Sequence, residues 1–336
     1  MNLNRRIIVI LICLFTISSA LLSCENKIEN EPKIEGLEIN KGSIIDNNNG
    51  IYSNLNYKEG KYVKLNNTNE EIIGIYDYQS KNYLMELNEK YIAYYNDKKM
   101  NMDNIEKGDN GFNLAPMGNY LFFFRANDVK MINFKTGELI DFAPKVGISG
   151  DFIDWLDEDT LVYYGIREED KVNGIFTYDI TSKDENLLVE FTEGAVEFMK
   201  ATDNGAVYIQ DKIDGTKELK YISIKDKVDK LLSKEVKNVC DVIKSNEDYY
   251  ILGTFKGMNP SLFKLNSGSL KRLVYGFPGT VSIRKGLSQN DDGDILFIGS
   301  NKSVDLEEIY KCTKEGAISE VYQASKEASF VRRYVR

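Results

Sequence analysis

Apolar positions along this chain come in short bursts rather than long stretches. Between Gly150 and Phe191 four such runs stand one after another: Phe152 to Trp155, Thr160 to Tyr164, Ile175 to Tyr178 and Asn186 to Phe191. Each is rich in aromatic or β-branched residues and is bounded by polar turn residues, which is the pattern of a strand. Four antiparallel strands within about 40–45 residues make one blade of a β-propeller.

The unit recurs through most of the chain. Innermost strands are expected to begin near Asp151, Ala195, Val239 and Val281, at offsets of 44, 44 and 42 residues. The third strands, marked by Val129, Ile175, Leu219, Leu262 and Ile309, follow offsets of 46, 44, 43 and 47. Two landmarks holding one period imply units that bury their faces against one another. Turns such as Lys135-Thr136-Gly137, Asn266-Ser267-Gly268 and Lys314-Glu315-Gly316 follow the third strand, where a hairpin needs positive φ.

Before Phe112 the period is compressed. Asn96 to Met100 echoes Asn127 to Met131 at an offset of 31, so Asn82 to Lys107 reads as a shortened blade. Gly50 to Gln79 offers three strands, Ile51 to Tyr57, Tyr62 to Leu65 and Glu71 to Tyr78. The C-terminal Ala328 to Val335 supplies a fourth. Joining the two ends in one blade closes the ring and removes exposed sheet edges. The expected fold is therefore all-β, a propeller of seven blades. A count of six results if Tyr91 to Gly108 is an insertion and Ile73 to Tyr78 aligns with Ile175 to Ile180.

The first residues follow a different pattern. Arg5 and Arg6 precede an apolar run, Ile7 to Ala20, which is short for a membrane span but suits the hydrophobic region of an export signal. It ends in Leu21-Leu22-Ser23-Cys24, which resembles the lipobox of bacterial lipoproteins. The resemblance implies cleavage before Cys24, lipidation of its thiol (palmitate being one such acyl group) and a location on the extracytoplasmic side of the cell membrane. An ordinary export signal with a chance cysteine is the alternative. The expected organisation is a signal peptide over residues 1–23, a polar tether over 24–49 and a propeller over 50–336. A tether of some 25 residues reaches roughly 80 Å when extended.

Composition narrows the function. The 21 Tyr and 16 Phe favour strands. The formal net charge is −9, and the two arginines ahead of Cys24 make the remainder more acidic still. Such a body is a poor fit to nucleic acid, whose affinity comes from neutralising phosphates. With no histidine, Ser-His-Asp and Cys-His catalysis and His-ligated metals are excluded.

The blades resemble the Tol-B-like, YWTD-like and WD40-like propellers of bacterial surfaces and periplasms. Tyr76-Asp77 and Tyr178-Asp179 echo their third-strand Tyr-Asp pairs, but no blade carries a complete Gly-His…Trp-Asp signature.

Several clusters invite chemistry, and each has a plainer reading. Asp203-Asn204-Gly205 partly matches the turn motif of sialidase propellers, which is structural. Asn290 to Asp294 is dense in oxygen ligands but lacks the later bidentate Glu of an EF-hand loop, so a turn is expected. Asp154, Asp157, Glu158 and Asp159 surround the lone Trp155 and could form an acid–base pair, yet Asp157 to Asp159 lie in an expected hairpin turn, so a solvated turn is the plainer reading. Arg125, Arg167, Arg272 and Arg284 fall in different blades. Cys240 and Cys312 sit on different strands and are expected to be free thiols. The charged loop Arg167 to Asn173 is the favoured recognition loop in its blade.

The resulting expectation is a membrane-anchored binding or interaction module, with an envelope protein or a saccharide as partner. No cofactor, metal or catalytic residue is assigned. A His-independent carbohydrate hydrolase or lyase, or a scaffold or sensor subunit, are the alternatives.

Overall fold

The computed structural model describes residues 36–66, 71–202, 204–301 and 306–331. Cys24, the segment expected to be an export signal and the last five residues lie outside that set. The described chain forms seven antiparallel sheets arranged as a seven-bladed propeller, which settles the count that the sequence left between seven and six.

Blades 2 to 6 are simple four-stranded meanders whose first strand is innermost. Their inner strands are Glu71–Tyr76, Asn110–Leu114, Val146–Trp155, Ala195–Thr202 and Val236–Ser245. In blade 7 the inner strand is split. Thr280–Val281 and Leu287–Gln289 both pair with Ile295–Ser300, and a 3-10 turn, Ile283–Lys285, bulges between them.

Blade 1 closes the ring. Its innermost strand is the C-terminal Glu327–Phe330, hydrogen-bonded to Ile44–Asn48, followed outward by Ile51–Lys58 and Lys61–Lys64. The closure is as expected, but two assignments change. The residues Ile44–Asn48, read as part of the tether, form a strand, so the first blade starts before Gly50. Glu71–Tyr76 belongs to blade 2, which runs from Glu71 to Asn101 as a complete four-stranded unit rather than a shortened one. Its short turns compress the period without removing a strand.

The blades are held by side chains that alternate between two neighbours. Successive residues of a strand point to opposite faces, and a propeller blade is covered on both. In blade 4, Leu161 and Tyr163 join a buried cluster with Phe122 and Met131 of blade 3. Val162 and Tyr164, on the other face, pack with Val196 and Tyr208 of blade 5. This is why the strands read as near-continuous apolar runs instead of a strict apolar–polar alternation. Seven such clusters are found, one at each blade boundary. The one containing Ile44, Leu296 and Phe330 seals the last boundary.

Glycine is required where an inner strand is bulged against its neighbour. A Cβ on Gly165 would stand 2.5 Å from the Gly147 carbonyl oxygen, and one on Gly253 would stand 2.3 Å from that of Asn238. In both blades the inner-strand register shifts beside the glycine, between Ile148 and Ile153 and between Val239 and Asp241. A bulge redirects the strand that follows it, and Asp154 and Asp241 lie just beyond these two shifts.

Candidate channel site

Those two aspartates tie the inner strands of neighbouring blades together. Asp154 Oδ1 accepts hydrogen bonds from the Trp155 amide and from Asn113 Nδ2, both at 2.9 Å. Its Oδ2 accepts from the Ala201 amide of blade 5, also at 2.9 Å. Asp241 repeats the arrangement two blades on. Its Oδ1 accepts from the Val242 amide at 2.8 Å and from the ammonium of Lys200. Its Oδ2 accepts from the Leu287 amide of blade 7 at 2.7 Å. The result is a polar belt running across blades 3, 4, 5, 6 and 7, in which each carboxylate fastens both adjoining inner strands.

Charge in this belt is unevenly matched. Protein encloses the Asp154 carboxyl, and burial pushes it above the usual carboxylate range. The Ala201 amide, Asn113, the Lys200 charge and the Trp155 amide oppose that rise. Asp241 instead has Lys200 in direct contact. Asp154 lies on the inner strand, within the predicted run Phe152 to Trp155, and its carboxyl is bonded to the ring rather than solvated. Its neighbour Asp157 does cap the turn, accepting from the Asp159 and Thr160 amides at 3.0 and 2.7 Å. Trp155 is fully buried between blades 3 and 4, and its indole donates to the Asn113 carbonyl at 3.1 Å.

Next to the belt the channel opens into a cavity of about 580 Å³, within the roughly 300–1,000 Å³ typical of small-molecule sites. All seven blades reach it through their inner strands, from Ile75 in blade 2 round to Ser329 and Phe330 in blade 1. Phe112 and Phe124 both line it, packing toward opposite boundaries of blade 3. Phe124 lies so close to Gly111 (φ +64°) that a Cβ there would stand 2.5 Å from its ring. The split strand of blade 7 brings Arg284 and Lys285 to the same space, because the 3-10 turn carries them inward. Cys240 also lines it. Burial pushes this thiol up, while Asn238 and the nearby Arg284 charge oppose the rise.

Other predicted residues lie elsewhere. The four arginines do not converge. Arg125 forms a two-pronged bond to Asp109, at 2.9 and 2.7 Å, and a 2.7 Å ion pair with Glu106. Arg167 folds back on Asp170 within its own hairpin, so the loop favoured for recognition neutralises much of its own charge. Arg272 bonds to the Ser261 hydroxyl and stacks over Tyr275. Only Arg284 faces the channel. Asn290 closes a turn with Asp294, accepting from the Asp294 amide at 2.8 Å, and among the described residues no cluster of three or more acidic or thiol side chains is arranged for a metal ion. Cys240 and Cys312 are free thiols. Asp203 lies outside the described residues, and the Asn204-Gly205 step beside it is a hairpin turn with Asn204 at φ +61°.

No protein-family model matches the chain, and no curated protein does. Among solved structures it is similar to dipeptidyl peptidase 4 of Porphyromonas gingivalis, with a TM-score of 0.53 and 13% identity, over 85% of this chain and 53% of that one. The chain thus spans about half the length of that peptidase. It is similar to the β-propeller domain of the trilobed protease from Pyrococcus furiosus, with a TM-score of 0.53 and 11% identity, over 84% and 94% of the two chains. It is also similar to an oligogalacturonate lyase from Vibrio parahaemolyticus, with a TM-score of 0.51 and 12% identity, over 87% and 86%. At these identities the likeness shows the fold alone: the protein is a seven-bladed β-propeller. The archaeal domain is described as having an open velcro topology, whereas here the C-terminal strand pairs with Ile44–Asn48 and the ring is closed.

Proposed function

We propose that the protein is a lipid-anchored, extracytoplasmic propeller that binds a small ligand in the channel cavity. The observation that carries the binding reading is the cavity itself, lined by side chains from all seven blades, with aromatic and charged groups side by side. Sites of this kind combine apolar walls with a few polar groups that orient a ligand. Binding is favoured over hydrolysis or lyase chemistry by the state of Asp241, one of the two acids that line the cavity. Asp241 spends both oxygens on neighbouring backbone amides and on Lys200, so it serves the ring. The anchor rests on Leu21-Leu22-Ser23-Cys24, on Arg5 and Arg6, and on the apolar run between them.

Two experiments test these halves. A lipid precursor should label the wild-type chain in cells and leave Cys24→Ala unlabelled; equal labelling removes the anchor. Pooled small molecules should raise the melting temperature of wild type but not of Ser329→Trp, whose indole fills the cavity from an exposed inner-strand position. Equal stabilisation of both places the ligand elsewhere.

A further inference from the structure

The cavity also indicates the chemistry of its ligand, an inference that rests on the binding reading above. Three cations line it, and two of them are engaged. The Lys200 ammonium is held by Asp241, and Lys285 lies 3.3 Å from Glu307. Arg284 has no carboxylate within ion-pair distance among the described residues, and it is exposed to the cavity. Its position is built. The Ser282 amide donates to the Ile298 carbonyl and the Lys285 amide to that of Ser282, closing the turn. Gly286, at φ +78°, then returns the chain to the strand. A turn that interrupts the inner strand of one blade and delivers an unpaired guanidinium to the channel has no evident role in holding the ring.

We infer that the cavity takes a small organic monocarboxylate, its carboxylate on the Arg284 guanidinium and its apolar body against the aromatic lining that Phe112 and Phe124 supply. The guanidinium fork matches a carboxylate in two parallel hydrogen bonds. A single free cation suits a single negative charge. A phosphate dianion would leave one charge unmatched in a cavity that also holds Asp151 and Asp241. The whole protein carries a net charge of −9, so a small anion is drawn in by this local group rather than by the general field. The aromatic lining favours a ligand with an apolar or planar body over a bare inorganic anion.

The thiol of Cys240 supplies the readout, since it lines the same cavity while Cys312 is fully buried. Alkylation of Cys240 in the full-length chain is followed on its own proteolytic peptide. The probes are hexanoate, phenylacetate, the neutral amide of each, and inorganic phosphate. The carboxylates should slow alkylation in wild type, and Arg284→Gln should weaken that protection by about tenfold or more. Arg284→Lys should recover part of it. The amides should protect at least about tenfold less well than their acids, and equally in wild type and Arg284→Gln. Amides that protect as well as the acids, phosphate that protects better, or carboxylate protection unchanged in Arg284→Gln would each overturn the inference. In those cases ligand binding in the cavity survives. If no probe protects Cys240 and no pooled compound distinguishes wild type from Ser329→Trp, the binding reading falls as well.

Discussion

The carboxylate of Asp154 and the backbone amide of Ala201 are joined across the boundary between blades 4 and 5, at 2.9 Å. The same relationship joins Asp241 to Leu287 between blades 6 and 7. Side chain therefore completes what strand pairing cannot, since strands of different blades do not hydrogen-bond as a sheet. Asp154→Ala should orphan the Ala201 amide and the Asn113 amide, and should lower stability by about 2–4 kcal/mol. Asp154→Asn keeps one acceptor oxygen but sets an NH₂ group against a donor. A loss of about 1–3 kcal/mol is expected. Urea unfolding at neutral pH checks both, and an unchanged midpoint for Asp154→Ala would refute the bridging role.

Gly253→Ala should be among the most damaging single-methyl changes in the chain. The added Cβ meets the Asn238 carbonyl carbon and oxygen and the Val239 Cα, all of them backbone atoms that no rotamer change can move aside. We expect a loss of about 2 kcal/mol or more, together with weakened Asp241 contacts. Gly268→Ala, at a turn with open space around it but φ +82°, should cost less. Thermal melts of the two variants side by side give the comparison.

Trp155 is the only tryptophan and is fully buried. Its emission should be blue-shifted and poorly quenched by acrylamide in the native protein, and should shift red in one step with loss of the ring. Trp155→Phe removes the bond to the Asn113 carbonyl and leaves a void between blades 3 and 4. A destabilisation of about 1–3 kcal/mol is expected. Native emission that is already red and easily quenched would contradict the burial.

Asp109 gives a pH dependence with a definite sign. Burial raises its carboxyl, but the Arg125 fork and the Glu106 amide outweigh that and hold it below its ordinary 3.8. A carboxyl lowered in the folded state contributes stability above its unfolded value, and that contribution is lost as pH falls through the lowered value. Asp109→Asn should therefore be less stable than wild type at pH 7, by about 1–3 kcal/mol, and the gap should close below pH 3.8. Denaturant midpoints of both proteins from pH 7 to pH 3 test this. A gap that widens in acid would mean the Arg125 pair is not the source.

Much of the ring was legible in the sequence. Four strands per period, glycine-bearing turns and aromatic runs are local signals, and a blade covered on both faces produces apolar runs that a short window can see. Closure by the C-terminal strand was legible because the N-terminal blade lacked a partner. The start of that blade was missed because Ile44–Asn48 reads Ile-Ile-Asp-Asn-Asn, whose polar half suits a tether as well as a strand. Asp46 in it is buried for a tertiary reason. It accepts from the Tyr322 hydroxyl at 2.8 Å and from Ser325, far along the chain.

The site was far less legible. Asp154 falls in the predicted strand run Phe152 to Trp155 and Asp157 in the turn after it, but no local signal shows that the Asp154 carboxylate reaches the Ala201 amide of the next blade. In the sequence Arg284 is one of four arginines spread over different blades, and its place depends on a strand interrupted by a 3-10 turn, which the period of the blades conceals. A Lys-Gly pair after Arg284, inside an expected inner strand, was the one local hint that the strand breaks there.

The ring closure also bears on synthesis. Asn47 and Glu327, which meet in blade 1, are 280 residues apart. At about 5–20 residues per second, a ribosome needs about 14–56 s to produce the second after the first. For that interval Ile44–Asn48 has an open edge, and Ile44 and Leu55 await the neighbours that bury them. The earliest-made blade is thus the last to be completed. Any factor that shields nascent or unfolded chain would have the most to protect at the N-terminal end, until the final residues arrive and lock the circle.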